Sequence, residues 1–195
     1  MYLYLVRHGQ SEGNVLRTFH GQTDYPLTEL GREQARQVAE KLKDIPFQRC
    51  CSSDLSRAWD TAQACLIGRD IKAEACPGLR EQNVGEMEEL SWEQMEERFP
   101  QLLRPYLEDW FHVTPPGGES PDAMMARVAS CMEEIVARGE DTLVTAHFGS
   151  LGLVLQHFGL VKREELFTSQ WAFAQGTYSI IEIENGAAKL LCFNK

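Results

Sequence analysis

The sequence lacks any apolar run that approaches the length of a membrane-spanning helix, and its amino terminus lacks a basic segment followed by an apolar stretch. We therefore expect neither a membrane partner nor a secretory signal. Basic residues are few: 19 lysines and arginines stand against 29 aspartates and glutamates, which gives a formal net charge of −10. Since no basic patch is visible, we also expect no nucleic-acid partner.

The six cysteines lack the spacing of a disulfide framework or of a metal site, and the adjacent pair Cys50-Cys51 is poorly placed for an internal bridge. Repeats and low-complexity tracts are absent as well. What remains is a chain of 195 residues, 43% hydrophobic and 25% charged, which is typical of a globular protein. We expect a cytoplasmic protein whose cysteines act as small buried hydrophobic residues.

Short apolar strands alternate with helical patterns along the chain. This alternation predicts an α/β fold, a three-layer α/β/α sandwich with a mainly parallel sheet, formed by residues 1–195 as a single domain. A terminal hairpin through Asn185-Gly186 would make the sheet mixed. The predicted strands are Tyr2–Val6, Phe47–Cys51, Ile71–Ala73, Thr142–Ala146, Tyr178–Ile183 and Lys189–Phe193, and the predicted helices are Thr28–Lys43, Asp54–Leu66, Leu102–Trp110, Pro121–Arg138 and Ser150–Phe158, with a capping box at Ser91–Gln94 opening a further short helix.

The first predicted strand runs directly into Arg7 and His8. Open α/β sheets bind their ligands at the carboxyl ends of the strands. A permanent cation beside an imidazole at that place suits an anionic substrate that a histidine attacks or protonates. Taken alone, the same residues are equally compatible with a strand that merely ends in polar side chains.

Two later segments complete a constellation with Arg7 and His8, and the second of them repeats the pattern of a strand that runs into a histidine. Ser53 and Asp54 are N-cap candidates for a helix that carries Arg57 in or near its first turn, and the strand Thr142–Ala146 runs into His147. Helix N-termini that lie close together favour anions, and phosphate is the usual guest. The alternatives are a surface ion pair for Arg57 and a core histidine with its hydrogen bonds satisfied for His147.

Six blocks of sequence, in order and spanning nearly the whole chain, resemble those of the histidine phosphatase superfamily, the phosphoglycerate-mutase-like proteins. The resemblance implies the phosphoglycerate mutase-like fold and a helical cap insertion at about residues 86–120. The matching blocks are Leu5–Ser11, Gly21–Thr28 with Gly31, Ser53–Ala58 with Thr61-Ala62, Leu79–Glu81 with Gly85, Pro116–Ser120, and the strand leading to His147.

The resemblance also implies a role for each matched residue. His8 is expected to attack phosphorus and form a phosphohistidine, and Glu81 to protonate the leaving oxygen and then activate water. For Glu81 the alternative is one carboxylate in a solvated acidic run. The family needs no metal, so we expect no metal and no cofactor. The expected catalytic residues are His8, Glu81 and His147, and the expected phosphate- or substrate-binding residues are Arg7, Asn14, His20, Gly21, Arg57 and Phe148.

Two positions depart from the pattern of the family. His20 stands where a glutamine is usual, and it would add a titrating group while still being able to donate to the phosphate or the leaving group. Phe148 stands where a glycine is usual, so its ring would narrow or line the crevice. These changes bear on the identity of the substrate and not on the class of reaction. Aromatic residues of the insertion either line the site or pack its helices onto the domain, and they are Trp92, Phe99, Tyr106, Trp110 and Phe111.

The function that we predict is that of a metal-independent phosphomonoesterase, a hydrolase of the histidine acid phosphatase type that acts on a small phosphorylated metabolite. The short chain and the form of the block Asp24–Thr28 resemble the phosphatase branch, and within it the ribazole phosphatases of cobalamin assembly, so α-ribazole phosphate is a candidate substrate. The alternatives are a cofactor-dependent phosphoglycerate mutase and a non-catalytic binder of phosphorylated ligands. We expect a monomer or a homodimer.

Overall fold

The computed structural model describes residues 1–166 and 168–195. Within them, six strands form one sheet and seven α-helices surround it. The strands are β1 (Tyr2–Arg7), β2 (Arg49–Ser52), β3 (Ala73–Ala75), β4 (Thr142–Ala146), β5 (Ser179–Glu184) and β6 (Ala187–Cys192). The helices are α1 (Glu12–Leu16), α2 (Glu29–Leu42), α3 (Ser56–Leu66), α4 (Trp92–Arg98), α5 (Leu103–Glu108), α6 (Pro121–Val136) and α7 (Phe148–His157).

The sheet is mixed, with the order β3-β2-β4-β1-β5-β6. β1 pairs in parallel with β4, β4 with β2 and β2 with β3, whereas β5 and β6 are antiparallel to their neighbours. The register places Arg7 beside Ala146 on β4, and Ser52 beside Thr145. The carboxyl ends of β1, β4 and β2 therefore meet at one edge of the sheet, where an α/β fold binds its ligand.

Alternate side chains of β1 enter two different hydrophobic clusters, one on each face of the sheet. Leu3 and Leu5 pack in the cluster that α6 and α7 cover. Tyr4 and Val6 pack in the cluster that α2 and α3 cover. This arrangement confirms the predicted α/β/α sandwich with its mainly parallel mixed sheet.

The terminal hairpin is confirmed as well. Asn185 and Gly186 both have positive φ values, 52° and 79°, as the two central residues of a type I′ turn require. The capping box of α4 is present too, with the Ser91 side chain bound to the Gln94 backbone and the Gln94 side chain bound back to Ser91. All six cysteines are free thiols.

Several predicted bounds are wrong by a few residues. The third strand is Ala73–Ala75 and not Ile71–Ala73, because it pairs with β2 at Cys50–Ser52. The last predicted helix begins at Phe148, because His147 already serves as its N-cap. α5 ends at Glu108, since Asp109 leaves the helical conformation, and a separate 3₁₀ turn follows at Trp110–His112.

Within the described part of the chain, no helix combines the length and the apolar character that crossing a membrane requires.

Candidate active site

A cavity of about 420 Å³ lies at the carboxyl ends of β1 and β4. Eight of the nine predicted site residues line it: Arg7, His8, Asn14, His20, Gly21, Arg57, Glu81 and Phe148. The ninth, His147, is fully buried, with its ring centroid 5.1 Å from that of His8. The structure thus brings together residues from five separate sequence blocks.

His8 is only 3% exposed, and its ring orientation is set by the backbone. Its Nδ1 lies 2.6 Å from the Gly9 carbonyl oxygen. A carbonyl can only accept, so Nδ1 carries the proton and Nε2 keeps its lone pair. Burial, together with the cations Arg57 and Arg7, lowers the pKa of His8 well below its ordinary value. The ring is therefore neutral at neutral pH, which is the state a nucleophile needs.

Arg57 is fully buried in the first turn of α3. Its guanidinium donates to the carbonyl oxygens of Gly21 (2.7 Å) and Thr23 (2.9 Å). The charged side chain and the loop 20–23 thus hold each other in place along one wall of the cavity. Burial lowers the pKa of Arg57 from its ordinary value, as it does that of Arg7.

The start of α3 is capped from a distance. Leu55 is the N-cap residue, and its side chain makes no cap hydrogen bond. Asp24 supplies the acceptor instead, because its Oδ1 lies 2.8 Å from both the backbone N and the Oγ of Ser56. A carboxylate at the N-terminus of a helix also interacts favourably with the helix dipole.

The prediction that Ser53 or Asp54 is the N-cap was wrong, because Leu55 is the N-cap residue: Ser53 Oγ reaches only the backbone N–H of Leu55, at 3.4 Å, and its other contact lies outside the helix, as does the ion pair of Asp54. Ser53 Oγ lies 2.8 Å from His147 Nε2, in the interior between β2 and β4. Asp54 forms a two-pronged ion pair with Arg80, with its oxygens 2.7 and 2.5 Å from the guanidinium nitrogens. Burial and the nearby Arg57 lower the pKa of His147 well below its ordinary value.

Arg7 is the last residue of β1, and its side chain contacts a backbone carbonyl on one side and an aromatic ring on the other. Its Nη1 donates to the Phe173 carbonyl oxygen at 2.8 Å, and its guanidinium carbon lies 5.0 Å from the centroid of the Phe148 ring. Arg7 Nε, Arg57 Nε and His147 Nδ1 are buried polar atoms with no hydrogen-bond partner among the described residues. Arg7 and Arg57 line the cavity and His147 packs against His8, so this set suits an anion with several acceptor oxygens.

Asn14 and His20 lie side by side in the lining of the same cavity. Asn14 Oδ1 accepts from Gln175 Nε2 at 3.1 Å, so its Nδ2 is the group left to donate. His20 Nδ1 donates to the Thr18 carbonyl oxygen at 3.0 Å, and its Nε2 is 3.5 Å from Asn14 Nδ2. Neutral His20 therefore offers an acceptor, and its donation to a phosphate requires a second proton on the ring. Burial lowers the pKa of His20.

The Glu81 carboxylate is held by two backbone N–H groups. Its Oε2 accepts from Gly149 at 2.9 Å and its Oε1 from Gln82 at 3.1 Å. Arg127, on α6, donates to the carbonyl oxygen of Glu81 at 2.9 Å and to that of Arg80 at 2.7 Å. Glu81 is thus part of a braced loop at the cavity and not of a solvated acidic face. Sequence reasoning missed Arg127, which no local motif marks.

The outer part of the cavity is mainly apolar. Of the five aromatic residues considered in the insertion, Tyr106 and Trp110 line it. The other three pack elsewhere: Trp92 lies against Phe19, Phe99 lies in a small cluster around Met87, and Phe111 lies against Trp110. The lining residues that the sequence did not suggest are Thr18, Phe19, Gln82, Val84, Leu107 and Gly149.

Chemically, the site has two parts. Cations and imidazoles surround the inner end, and aromatic and aliphatic side chains surround the outer end. This division fits an ester between phosphate and an alcohol with an apolar group. Among residues 1–166 and 168–195, no group of three or more histidine, cysteine, aspartate or glutamate side chains is arranged to hold a metal ion.

Comparison with known proteins agrees with this geometry. The family model of the histidine phosphatase superfamily (branch 1) matches residues 3–195. The adenosylcobalamin/alpha-ribazole phosphatase of Salmonella typhimurium is 32% identical over 198 residues, which cover 100% of this chain and 96% of that protein. A protein of Escherichia fergusonii named "Probable phosphoglycerate mutase GpmB" is 35% identical over 163 residues, 80% of this chain and 73% of that protein.

Among solved structures, the alpha-ribazole phosphatase of Shigella flexneri superposes with a TM-score of 0.93 at 28% identity, over 100% of this chain and 96% of that one. This similarity confirms the phosphoglycerate mutase-like fold. Because the family model matches almost the whole chain and the relatives include phosphatases, the resemblance seen in the sequence blocks is confirmed. The chain belongs to the histidine phosphatase superfamily, branch 1.

Proposed function

We propose that this chain is a metal-independent phosphomonoesterase of the histidine acid phosphatase type, with His8 as its nucleophile. One observation carries the proposal. The Gly9 carbonyl holds the Nδ1 proton of His8, so an unprotonated Nε2 is available in a cavity that Arg7 and Arg57 also line. A buried imidazole in this state, beside two guanidinium groups, suits attack on a phosphate ester.

The reaction has two steps. In the first, the Nε2 lone pair of His8 forms a bond to phosphorus, the bond from phosphorus to the ester oxygen breaks, and the proton of Glu81 goes to the leaving alcohol. In the second, the Glu81 carboxylate takes a proton from water while the water oxygen bonds to phosphorus and the nitrogen–phosphorus bond breaks. Inorganic phosphate leaves, and His8 and Glu81 return to their starting states.

The remaining residues stabilise the charge on the transferred group. Arg7 and Arg57 offer guanidinium donors, and Asn14 offers its Nδ2. When Ser53 donates to Nε2 of His147, the proton of that ring is on Nδ1, which then becomes a further donor. Phosphoryl transfer depends mainly on positioning and charge stabilisation, which such a cluster supplies. Gly21 contributes through its carbonyl, which fixes Arg57.

The substrate that we propose is α-ribazole phosphate. Two relatives matched over the full chain carry that activity in their names, and the apolar outer wall of the cavity suits the base of such an ester. We also propose that residues 1–195 act as one domain in which residues 86–120, the cap segment, cover the outer cavity. A mutase remains the second candidate, because a relative named for that activity matches most of the chain.

The test is phosphate release from α-ribazole phosphate and 3-phosphoglycerate in the presence of a chelator. Wild type, His8→Ala and His112→Ala are compared, the last being a control on a surface histidine that is 76% exposed. We expect release from α-ribazole phosphate by the wild type and the control, and none by His8→Ala. Isomerisation of 3-phosphoglycerate that depends on a bisphosphoglycerate primer would support the mutase instead. Absence of release from every ester would overturn the phosphatase proposal.

A further inference from the structure

Gln82 is a buried amide, 3% exposed, beside the residue proposed as the acid. Its Oε1 accepts two hydrogen bonds, from the Tyr106 hydroxyl at 2.9 Å and from the Trp110 indole Nε1 at 2.6 Å. Its Nε2 donates to the Glu119 carbonyl oxygen at 2.8 Å. An indole N–H can only donate and a carbonyl can only accept, so these partners determine which end of the amide is oxygen.

The amide joins the cap segment to the rest of the site. Through its backbone N–H, Gln82 also donates to the Glu81 carboxylate at 3.1 Å. Glu119 is in turn bound by Arg127, whose Nε and Nη2 lie 2.6 and 2.7 Å from its two carboxylate oxygens. The rings of Tyr106 and Trp110, on the cap segment, are therefore held at a set position relative to Glu81 by a network that ends on α6.

The same hydrogen bonds decide which part of each ring is available to a ligand. The polar atoms of Tyr106 and Trp110 are bound to Gln82, while both residues line the cavity. The Tyr106 ring also packs against Phe19, with centroids 5.9 Å apart at 68°. This wall therefore offers a substrate the ring carbon atoms of Tyr106 and Trp110 in a fixed arrangement, with few free hydrogen-bond donors.

We infer that Gln82 is a specificity-determining positioning residue. By holding Tyr106 and Trp110, it selects phosphomonoesters whose alcohol carries a flat aromatic or heteroaromatic ring system over esters of small polar alcohols. The inference rests on the proposed phosphatase activity and names the feature of the leaving group that the site recognises. No polar side chain of the wall is needed for this selection, because stacking on ring carbon is sufficient.

The experiment uses two esters with the same reacting end. α-Ribazole phosphate and ribose 5-phosphate share the phosphorylated ribose and differ in the ring system. The ratio of kcat/KM for the first ester to that for the second isolates recognition of the ring. Gln82→Met keeps the length of the side chain and removes its amide. Gln82→Glu keeps an acceptor oxygen for the Tyr106 hydroxyl and the Trp110 indole N–H. Gln101→Met is the matched control, at an exposed glutamine of the cap segment.

In the wild type and in Gln101→Met we expect a ratio well above one. In Gln82→Met the ratio falls about tenfold, because two donors lose their shared acceptor and the rings lose their fixed position. Gln82→Glu retains most of the wild-type ratio, whatever its effect on the absolute rates. Tyr106→Phe, which removes one hydroxyl only, gives a smaller fall and serves as the second variant if Gln82→Met does not fold.

An equal loss on both esters in Gln82→Met, with the ratio unchanged, would overturn the inference while leaving the phosphatase intact. A wild-type ratio near one would overturn it too, since the wall would then recognise no ring. If the wild type hydrolyses neither ester, the proposed function itself fails, and the selection by Gln82 fails with it.

Discussion

The Glu81 carboxylate accepts the backbone N–H of Gly149 at 2.9 Å, so the loop that carries the proposed acid is tied to the first turn of α7. This contact needs a residue without a side chain at position 149. A Cβ placed there would meet the Glu81 carboxylate oxygens. α7 itself begins immediately after His147, so one helix end positions both a buried imidazole and the acid.

Gly149→Ala should therefore reduce catalysis by displacing Glu81. We expect kcat to fall by about 100-fold, the size of effect that a misplaced catalytic group produces, with little change in the thermal unfolding midpoint. Steady-state kinetics on α-ribazole phosphate would measure it. In a Glu81→Gln background the same alanine should cost little more. An undiminished second loss in that background would mean that the effect does not pass through Glu81.

Arg57→Lys tests the two-pronged arrangement of that side chain. A lysine keeps the charge but has no planar fork with which to bind the carbonyl oxygens of Gly21 and Thr23 at the same time as a phosphate. We expect kcat/KM to fall by about 100-fold relative to the wild type. Arg98→Lys, at a surface arginine paired with Glu86, is the matched control and should leave the rate unchanged. A loss of less than threefold in Arg57→Lys would contradict this account.

Asp24→Ala removes the distant cap of α3. We expect the free energy of unfolding to fall by about 1 kcal/mol, the usual cost of losing an N-cap, and KM to rise because Arg57 lies in the uncapped turn. Denaturant unfolding and kinetics measure the two effects. Asp60→Ala, at an exposed position of the same helix, should change neither. Asp24→Asn keeps the acceptor oxygen and should restore most of the lost stability.

The buried histidines predict how stability depends on pH. The pKa values of His8 and His147 lie well below 6.5 in the folded chain, whereas in the unfolded chain they take ordinary values. Above pH 6.5 both histidines are neutral in the folded and in the unfolded chain, so the free energy of unfolding does not depend on their protonation. As the pH falls through 6.5, the unfolded chain binds protons that the folded chain does not. The free energy of unfolding then falls by about 1.4 kcal/mol per pH unit for each histidine.

Denaturant unfolding at several pH values between 7.5 and 5.0 would measure this slope. His8→Asn should reduce this slope by the contribution of one histidine, about half of the total. If the slopes of the wild type and His8→Asn coincide, His8 is not the origin of the acid sensitivity.

Local signals explain why much of this site was predictable. His8 and His147 each follow a short β-rich run and precede a glycine or a helix start, so their placement at the edge of the sheet follows from periodicity and from the rule that ligands bind at strand ends. The blocks around Arg57 and Glu81 were recognisable by resemblance. The structure places these residues together in one cavity.

What sequence reasoning missed depends on contacts between distant positions. Asp24 caps a helix that begins 32 positions later, and that contact displaces the nearer candidates Ser53 and Asp54. Gln82 lies in a stretch rich in glutamate, which is typical of a solvated face, yet its amide is buried by Tyr106 and Trp110 of the cap segment. A short window of sequence does not show which distant side chains will bury a residue within it.

The position of β1 in the middle of the sheet has a consequence for the order of folding. Leu3 on this strand pairs with Thr142 and with Ile181, and both partners lie far from it along the chain. Pairings so distant along the chain are slow to form and leave a hydrophobic strand exposed in the meantime. His8, which directly follows that strand, therefore takes its place in the cavity only after β1 has paired with β4 and β5.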